Sequence, residues 1–215
     1  MMLFSNRKDA GRQLGSALEE EALVAGATDP LVIGLPRGGV PVAEAAAAEL
    51  GTPFDIILVR KLGAPHQPEL ALGAVAEGGA AFVDRDLAAA LNVSPAVLEE
   101  RKKEEQAELE RQSALYRGDR PAPRLAGRAV IVVDDGIATG ATMRVALEAL
   151  RQQGADPLIA AAPVGSAEAV AELRKVADAV VCLEVPEPFR SVGEWYAQFG
   201  QVPDAEVVRI LKRRA

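Results

Sequence analysis

Residues 128–143, reading R-A-V-I-V-V-D-D-G-I-A-T-G-A-T-M, limit the architecture more than any other part of the chain. Residues 129–133 form a short apolar run rich in β-branched side chains, which suits a strand buried on both faces of a parallel sheet. Two acids, Asp134 and Asp135, end that run. A loop of mostly small residues follows, and Val145, Leu147 and Leu150 then recur at helical spacing. A strand, an acidic pair, a small-residue loop and a helix in that order have a chemical use. The helix start offers unpaired N–H groups and partial positive charge, small residues let a phosphate approach the backbone, and Thr139 and Thr142 add hydroxyls. Carboxylates repel a phosphate, so Asp134 and Asp135 make sense only facing something else, such as sugar hydroxyls or a hydrated Mg²⁺. Reading Thr139 as a simple helix cap uses one hydroxyl and leaves both carboxylates and both glycines without a role.

The motif V-I-V-V-D-D-G-I-A-T-G-A-T resembles the signature of the type I phosphoribosyltransferases: an apolar strand, two acids, two variable positions, then a small residue and Thr-Gly-x-Thr. The resemblance implies an α/β fold with a mainly parallel sheet flanked by helices, a lid hairpin and a C-terminal hood, to which this chain's own sequence adds an inserted long helix. It also implies a substrate, phosphoribosyl pyrophosphate (PRPP). In those enzymes the loop holds the PRPP 5-phosphate and the acid pair holds the ribose hydroxyls. Carried onto this chain, Gly136, Ile137, Ala138, Thr139, Gly140, Ala141 and Thr142 form the binding loop, with the phosphate cradled from Ala138 onward. Asp134 and Asp135 hold the ribose and, through water, a Mg²⁺ carried largely by PRPP itself.

A chain of 215 residues is long enough for one well-buried α/β domain with additions. We expect a core over about residues 28–183, interrupted by a flexible loop and helical insertion at about 60–127, with a hood and last helix over about 184–215. The net charge of −7 argues against a nonspecific nucleic-acid surface. No apolar run approaches the roughly 20 residues of a membrane helix, and the N-terminal residues lack the apolar core of a secretory signal. A cytoplasmic location is the expectation. Cys182, the single cysteine, sits in an apolar run and reads as a buried core residue rather than a metal ligand.

Two further strand-end loops carry cations. Residues 31–35 read as a buried strand, followed by Pro36-Arg37-Gly38-Gly39-Val40 and an alanine-rich helix. Glycines expose backbone N–H groups and Arg37 adds a fork of donors, which makes an anion clamp; a tight turn with Arg37 in solvent is the other reading. In the resembled family the corresponding loop binds pyrophosphate. Residues 54–59 read as the next strand, and Arg60-Lys61-x-Gly-x-Pro after it resembles the flexible loop of adenine and orotate phosphoribosyltransferases, which places Arg60 and Lys61 toward the pyrophosphate. His66, the only histidine, and Glu69 are lid residues that nothing in the sequence selects. Two apolar pieces around residues 77–79 read as a hairpin. Ser94-Pro95 then caps a long charged helix to about residue 117, either solvated with one narrow apolar stripe or a dimer or lid contact. From residue 129 to 183 strands and helices alternate, which implies a parallel sheet with ligands at the carboxyl ends of its strands.

The tail gathers Phe189, Trp195, Tyr196 and Phe199 in eleven residues. They form either a small core that docks the last helix or a stacking platform for a flat ring. By position alone, the resemblance puts Phe189, Trp195 and Tyr196 in the acceptor pocket. The implied reaction is displacement of pyrophosphate from the anomeric carbon by a ring nitrogen of a nitrogenous base, as in nucleotide salvage, with Asp134, Asp135, Arg37 and Lys61 as the catalytic set. Ala138 stands where 6-oxopurine enzymes carry an Asp, which disfavours guanine and hypoxanthine. The resemblance extends to a homodimer. A PRPP-binding regulator without turnover is the alternative, since binding and catalysis share the phosphate loop.

Overall fold

The structure is a computed structural model that describes residues 3–65, 67–77, 79 and 81–213, giving the backbone alone for residues 67–70. His66 and the side chain of Glu69 therefore lie outside what is described. The chain begins with α1 (Arg7–Glu19), whose N-cap Asn6 accepts hydrogen bonds from the N–H groups of Lys8 and Asp9. The one-turn α2 (Ala22–Ala25) leads to β1 (Leu31–Gly34), then α3 (Gly39–Leu50) and β2 (Phe54–Ile56). Ala10, Leu14 and Leu18 line the buried side of α1 at four-residue spacing. Gly11 and Gly15 let it lie directly on α3: a β-carbon on Gly11 would overlap the Val42 carbonyl, and one on Gly15 would stand 2.6 Å from Glu49 Cβ.

Next comes an excursion out of the sheet. β3 (Val59–Ala64), β4 (Gln67–Ala76) and β5 (Ala81–Val83) form a separate antiparallel sheet in that order. They are followed by α4 (Arg85–Ala90) and the long α5 (Pro95–Arg117). The chain returns through β6 (Val130–Val133), α6 (Ala141–Gln152), β7 (Leu158–Val164), α7 (Ala167–Leu173), β8 (Ala179–Glu184), a 3₁₀ turn (Val192–Trp195) and α8 (Asp204–Arg213). The main sheet has the order β2-β1-β6-β7-β8 and every pairing in it is parallel. Its central strands β1, β6 and β7 are buried along their whole length, as their unbroken apolar sequences require.

One expectation needs correcting. The segment after residue 59, read as a mobile loop, is instead a β-hairpin: Arg60 and Lys61 lie on β3 opposite Val75 and Ala74 of β4. Its two prolines and Gly63 disguise it in the sequence, and the pairing register does shift on either side of Gly63. The predicted strand over 54–59 is accordingly split: Phe54–Ile56 lie in the main sheet, Ile57 and Leu58 connect, and Val59 begins the hairpin.

The long helix behaves as its charges suggest, burying only Leu109, Tyr116 and Arg117. Its last turn is the anchor. Arg117 donates to Asp55 of β2 at 2.8 Å, to the Ile56 carbonyl at 2.6 Å and to Glu77 at the end of the hairpin, with its side chain 1% exposed. Arg120 adds a second cation to Asp55. One guanidinium thus joins helix, hairpin and main sheet. Cys182 sits on the edge strand β8 and is only partly buried, because β8 has a neighbour on one side alone.

Two outcomes follow from these placements. Arg117→Ala strands the Glu77 carboxylate in the interior and leaves Asp55 to Arg120 alone, and should cost about 3 kcal/mol in denaturant unfolding. Burial pushes the Cys182 thiol up to about 11, so the thiol is neutral at pH 8. Its alkylation by iodoacetamide should be slow there and accelerate as pH rises toward 11, unlike an ordinary exposed cysteine.

Candidate functional site

β1 and β6 are neighbours in register, with Gly34 opposite Val133, so the segments that follow them leave the sheet side by side. The Leu35 N–H donates to the Val133 carbonyl at 2.9 Å and carries that alignment one residue past the strand end. The Arg37-Gly38-Gly39 turn therefore lies against the acid pair. A β-carbon on Gly38 would overlap Asp135 Oδ2, and one on Gly39 would stand 2.6 Å from the Val133 carbonyl and 2.9 Å from Asp134 Cα. These glycines are required by contact with the acids, not merely by a turn.

The acid pair is asymmetric. Asp134 Oδ1 accepts the backbone N–H of Asp135 at 2.8 Å. Burial, and after it the charge of Asp135, push the Asp134 carboxyl well above the usual carboxylate range. A hydroxyl donor or a cation arriving there favours the ionised form. Asp135 is also raised by burial, but Arg7 of α1 opposes this from 2.8 Å. Reading the sequence alone assigns no role to Arg7, which reaches the site from 128 residues away. One local sign existed: Arg7 and Lys8 open a helix whose N-terminal dipole disfavours cations, a placement that tertiary contacts must offset.

Beyond the acids the loop runs into α6. Ile137 bridges to Gly165 beyond β7, and the Ala138 carbonyl accepts the Ser166 hydroxyl at 2.8 Å, so the loop is held from below while Ala138 and Thr139 stay exposed. Gly140 caps α6 at φ 73°, a left-handed conformation, and contributes no side-chain cap; the Thr139 hydroxyl oxygen lies 3.4 Å from the Ala141 N–H it accepts. Thr139, Gly140 and Ala141 also line a cavity of about 280 Å³ that extends toward Gly73 and Leu87. The helix start is open.

The cations are placed differently from one another. Arg37 follows a cis Pro36–Arg37 peptide and is partly exposed, 3.6 Å from Asp204 at the start of α8. Asp204 in turn accepts the Tyr116 hydroxyl of α5 at 2.6 Å. Burial and then that hydrogen bond push the tyrosine up to about 12. Arg60 is engaged by Glu105 of α5 at 2.6 Å and so faces the long helix. Lys61, next to it, has its side chain partly buried on β3.

The tail aromatics correct another expectation. Tyr196 is 2% exposed, packed with Phe4 and stacked on Phe199 at 4.9 Å between ring centres, and its hydroxyl donates to the Asp135 carbonyl at 2.6 Å. It offers no open face for a flat ring. Trp195 and Phe189 pack partly buried against the same cluster. The cluster is a small satellite core, but it docks the N-terminal segment, whereas α8 sends Val207, Ile210 and Leu211 into the main core. The 3₁₀ turn closes down on the loop through Val192, whose methyl groups fill the space a β-carbon on Gly136 would need.

The sequence model of the phosphoribosyl transferase domain matches residues 5–203. This chain belongs to the phosphoribosyl transferase domain family. A crystal structure of TT1426 from Thermus thermophilus shares 43% of its sequence with this phosphoribosyl transferase domain and superposes with a TM-score of 0.89 over 100% of both chains. Rv0571c of Mycobacterium tuberculosis, provisionally named a phosphoribosyl transferase, is 43% identical over 213 residues, 99% of this chain and 47% of the relative. The chain thus spans about half the length of that curated relative. AQ2163 from Aquifex aeolicus, at 13% identity and a TM-score of 0.51 over 87% of this chain and 78% of that one, shares the fold. Among the described residues no helix of this family member is long and apolar enough to cross a membrane.

Gly39→Ala presses on main chain, and Gly38→Ala on a carboxylate that Arg7 holds in place. Both should destabilise in thermal unfolding, each by about 1–3 kcal/mol.

Proposed function

We propose that this chain transfers the 5-phosphoribosyl group of PRPP to a nitrogenous base and releases pyrophosphate, with Mg²⁺. The observation that carries the reading is the meeting of two strand-end loops, with Gly38 and Gly39 seated on Asp134 and Asp135 beside an open helix start. The 5-phosphate takes the α6 N-terminus and its threonines, the ribose hydroxyls take the acids, and the leaving pyrophosphate takes the Arg37 loop. Residues 1–215 act as one unit in this reading, with the hairpin and α5 flanking the pyrophosphate side.

The donor set suits a metal carried by substrate. Among the described residues no group of three or more His, Cys, Asp or Glu is placed to hold an ion, so the protein offers the adjacent Asp134 and Asp135, met through water. Asp134 and Asp135 would hold such a Mg²⁺ through water, and the ion would supply neutralisation of charge on the pyrophosphate. The protein's own residues do the rest. Arg37 supplies a permanent countercharge once it exchanges Asp204 for pyrophosphate. Lys61, on the hairpin, adds another. The acids fix the sugar, and positioning together with water exclusion carries most of the rate, without a protein nucleophile. The exposed Ala138, lacking a carboxylate to meet a 6-oxopurine, supports an acceptor other than guanine or hypoxanthine.

The direct test is incubation with PRPP, Mg²⁺ and a panel of bases while pyrophosphate release is followed. Turnover with one base is expected, and the Asp134→Asn/Asp135→Asn variant should bind PRPP at least about 100-fold more weakly while keeping its fold. Tight PRPP binding with no turnover on any base would replace transfer with a regulatory, PRPP-sensing role. Unchanged affinity in the double variant would remove the acids from the ribose site.

A further inference from the structure

Arg7 is engaged on every side. Its Nε and Nη2 both lie 2.8 Å from one oxygen of Asp135, Oδ2. Its Nη1 donates to the Gly200 carbonyl at 2.7 Å, and its guanidinium stands 4.0 Å from the centre of the Phe199 ring. The two charged side chains are 12% and 15% exposed, so the pair is largely withdrawn from water. Asp135 is gripped by its backbone as well, through the Tyr196 hydroxyl on its carbonyl. Tyr196 is itself locked to the N-terminal segment by the Phe4–Tyr196 bridge and ring contact.

A surface ion pair of this separation would contribute little, and neither partner would be fixed by it. Here the cation is also held by two contacts independent of the acid, the Gly200 carbonyl and the Phe199 ring, so it imposes an orientation on the acid rather than following it. With Oδ2 taken by Arg7, Oδ1 is the oxygen that remains for a hydroxyl. A carboxylate that presents one oxygen in one direction reads a single donor position, whereas a freely rotating one accommodates water in place of a missing hydroxyl. We propose that Arg7 is a positioning residue of the ribose subsite: by fixing Asp135 it sets the preference for a ribose over a deoxyribose phosphate. This rests on the phosphoribosyl-transfer reading. Arg7 touches no reacting atom in it.

The test compares ribose 5-phosphate, its 2-deoxy and 3-deoxy analogues, and inorganic phosphate by calorimetry, using the full chain. The unaltered protein should prefer ribose 5-phosphate to at least one deoxy analogue. Arg7→Met, which keeps an apolar stem on Phe199, should weaken ribose 5-phosphate by about tenfold and flatten the preference, with inorganic phosphate held as before. Arg7→Lys should recover part of the preference, because it restores the charge without the fork. A purely structural role predicts something else: equal weakening of inorganic phosphate and sugar phosphate alike, which overturns the proposal, as does an undiminished preference in Arg7→Met. Should Arg7→Met fail to fold, Asp135→Asn and Arg7→Met/Asp135→Asn decide, since the double variant leaves neither charge of the pair buried without its partner. Equal sugar affinity in those two supports action through Asp135, and a further loss in the double variant overturns it. Failure of the unaltered protein to bind either PRPP with Mg²⁺ or ribose 5-phosphate overturns the transfer reading itself, a result separate from the Arg7 comparison.

Discussion

The in-register parallel pairing of β1 and β6 is the constraint on which the rest of the site depends. Because Gly34 and Val133 end opposite each other, the two following segments must share one narrow edge of the sheet, and close packing there admits no β-carbon on Gly38 or Gly39. The same crowding withdraws the acid pair from water and raises both carboxyls. A cation must then be brought in, and the fold brings it from α1, whose own approach to α3 is made possible by Gly11 and Gly15. The chemistry at the edge of the sheet and the packing of the first helix are one arrangement.

The insertion is tied to the same edge by a second set of contacts. Arg117 binds the end of α5 to β2 and to the hairpin, while Tyr116, one residue earlier, reaches Asp204 and through it Arg37. Neighbouring positions on one helix thus serve different ends, one buried and structural, the other adjoining the glycine turn. The α5 helix has few apolar residues with which to pack. Directional, charge-assisted hydrogen bonds take the place that a hydrophobic stripe has elsewhere.

The core was legible because its signals are local. Apolar runs marked β1 and β6 to within a residue, the alternation over residues 129–183 anticipated β7 and β8, and Ser94-Pro95 marked the start of α5. The loop between β6 and α6 was legible for the same reason, its residues being contiguous. What escaped depends on contacts distant in sequence. Arg60 looked like a ligand residue because a cation after a strand suggests an anion, yet its partner is Glu105, which only the folding-back of α5 supplies. The hairpin was masked by prolines whose effect depends on whether their backbone N–H positions face a partner. The tail aromatics suited either a ring platform or a small core, and composition does not distinguish the two; the hydroxyl of Tyr196 on the Asp135 carbonyl does. Arg7, 128 positions from its acid, left only the faint mark of a cation at the wrong end of a helix.

The joining of residues 3–7 to residues 195–200 has a consequence for how the molecule is made. On the ribosome the acids at 134 and 135 emerge well before the segment that carries Gly200 and Phe199, which hold the guanidinium in place. Until that later segment arrives, the cation opposite Asp135 lacks the two contacts that hold it in place. The first turn of the first helix is thus finished by residues translated long after it.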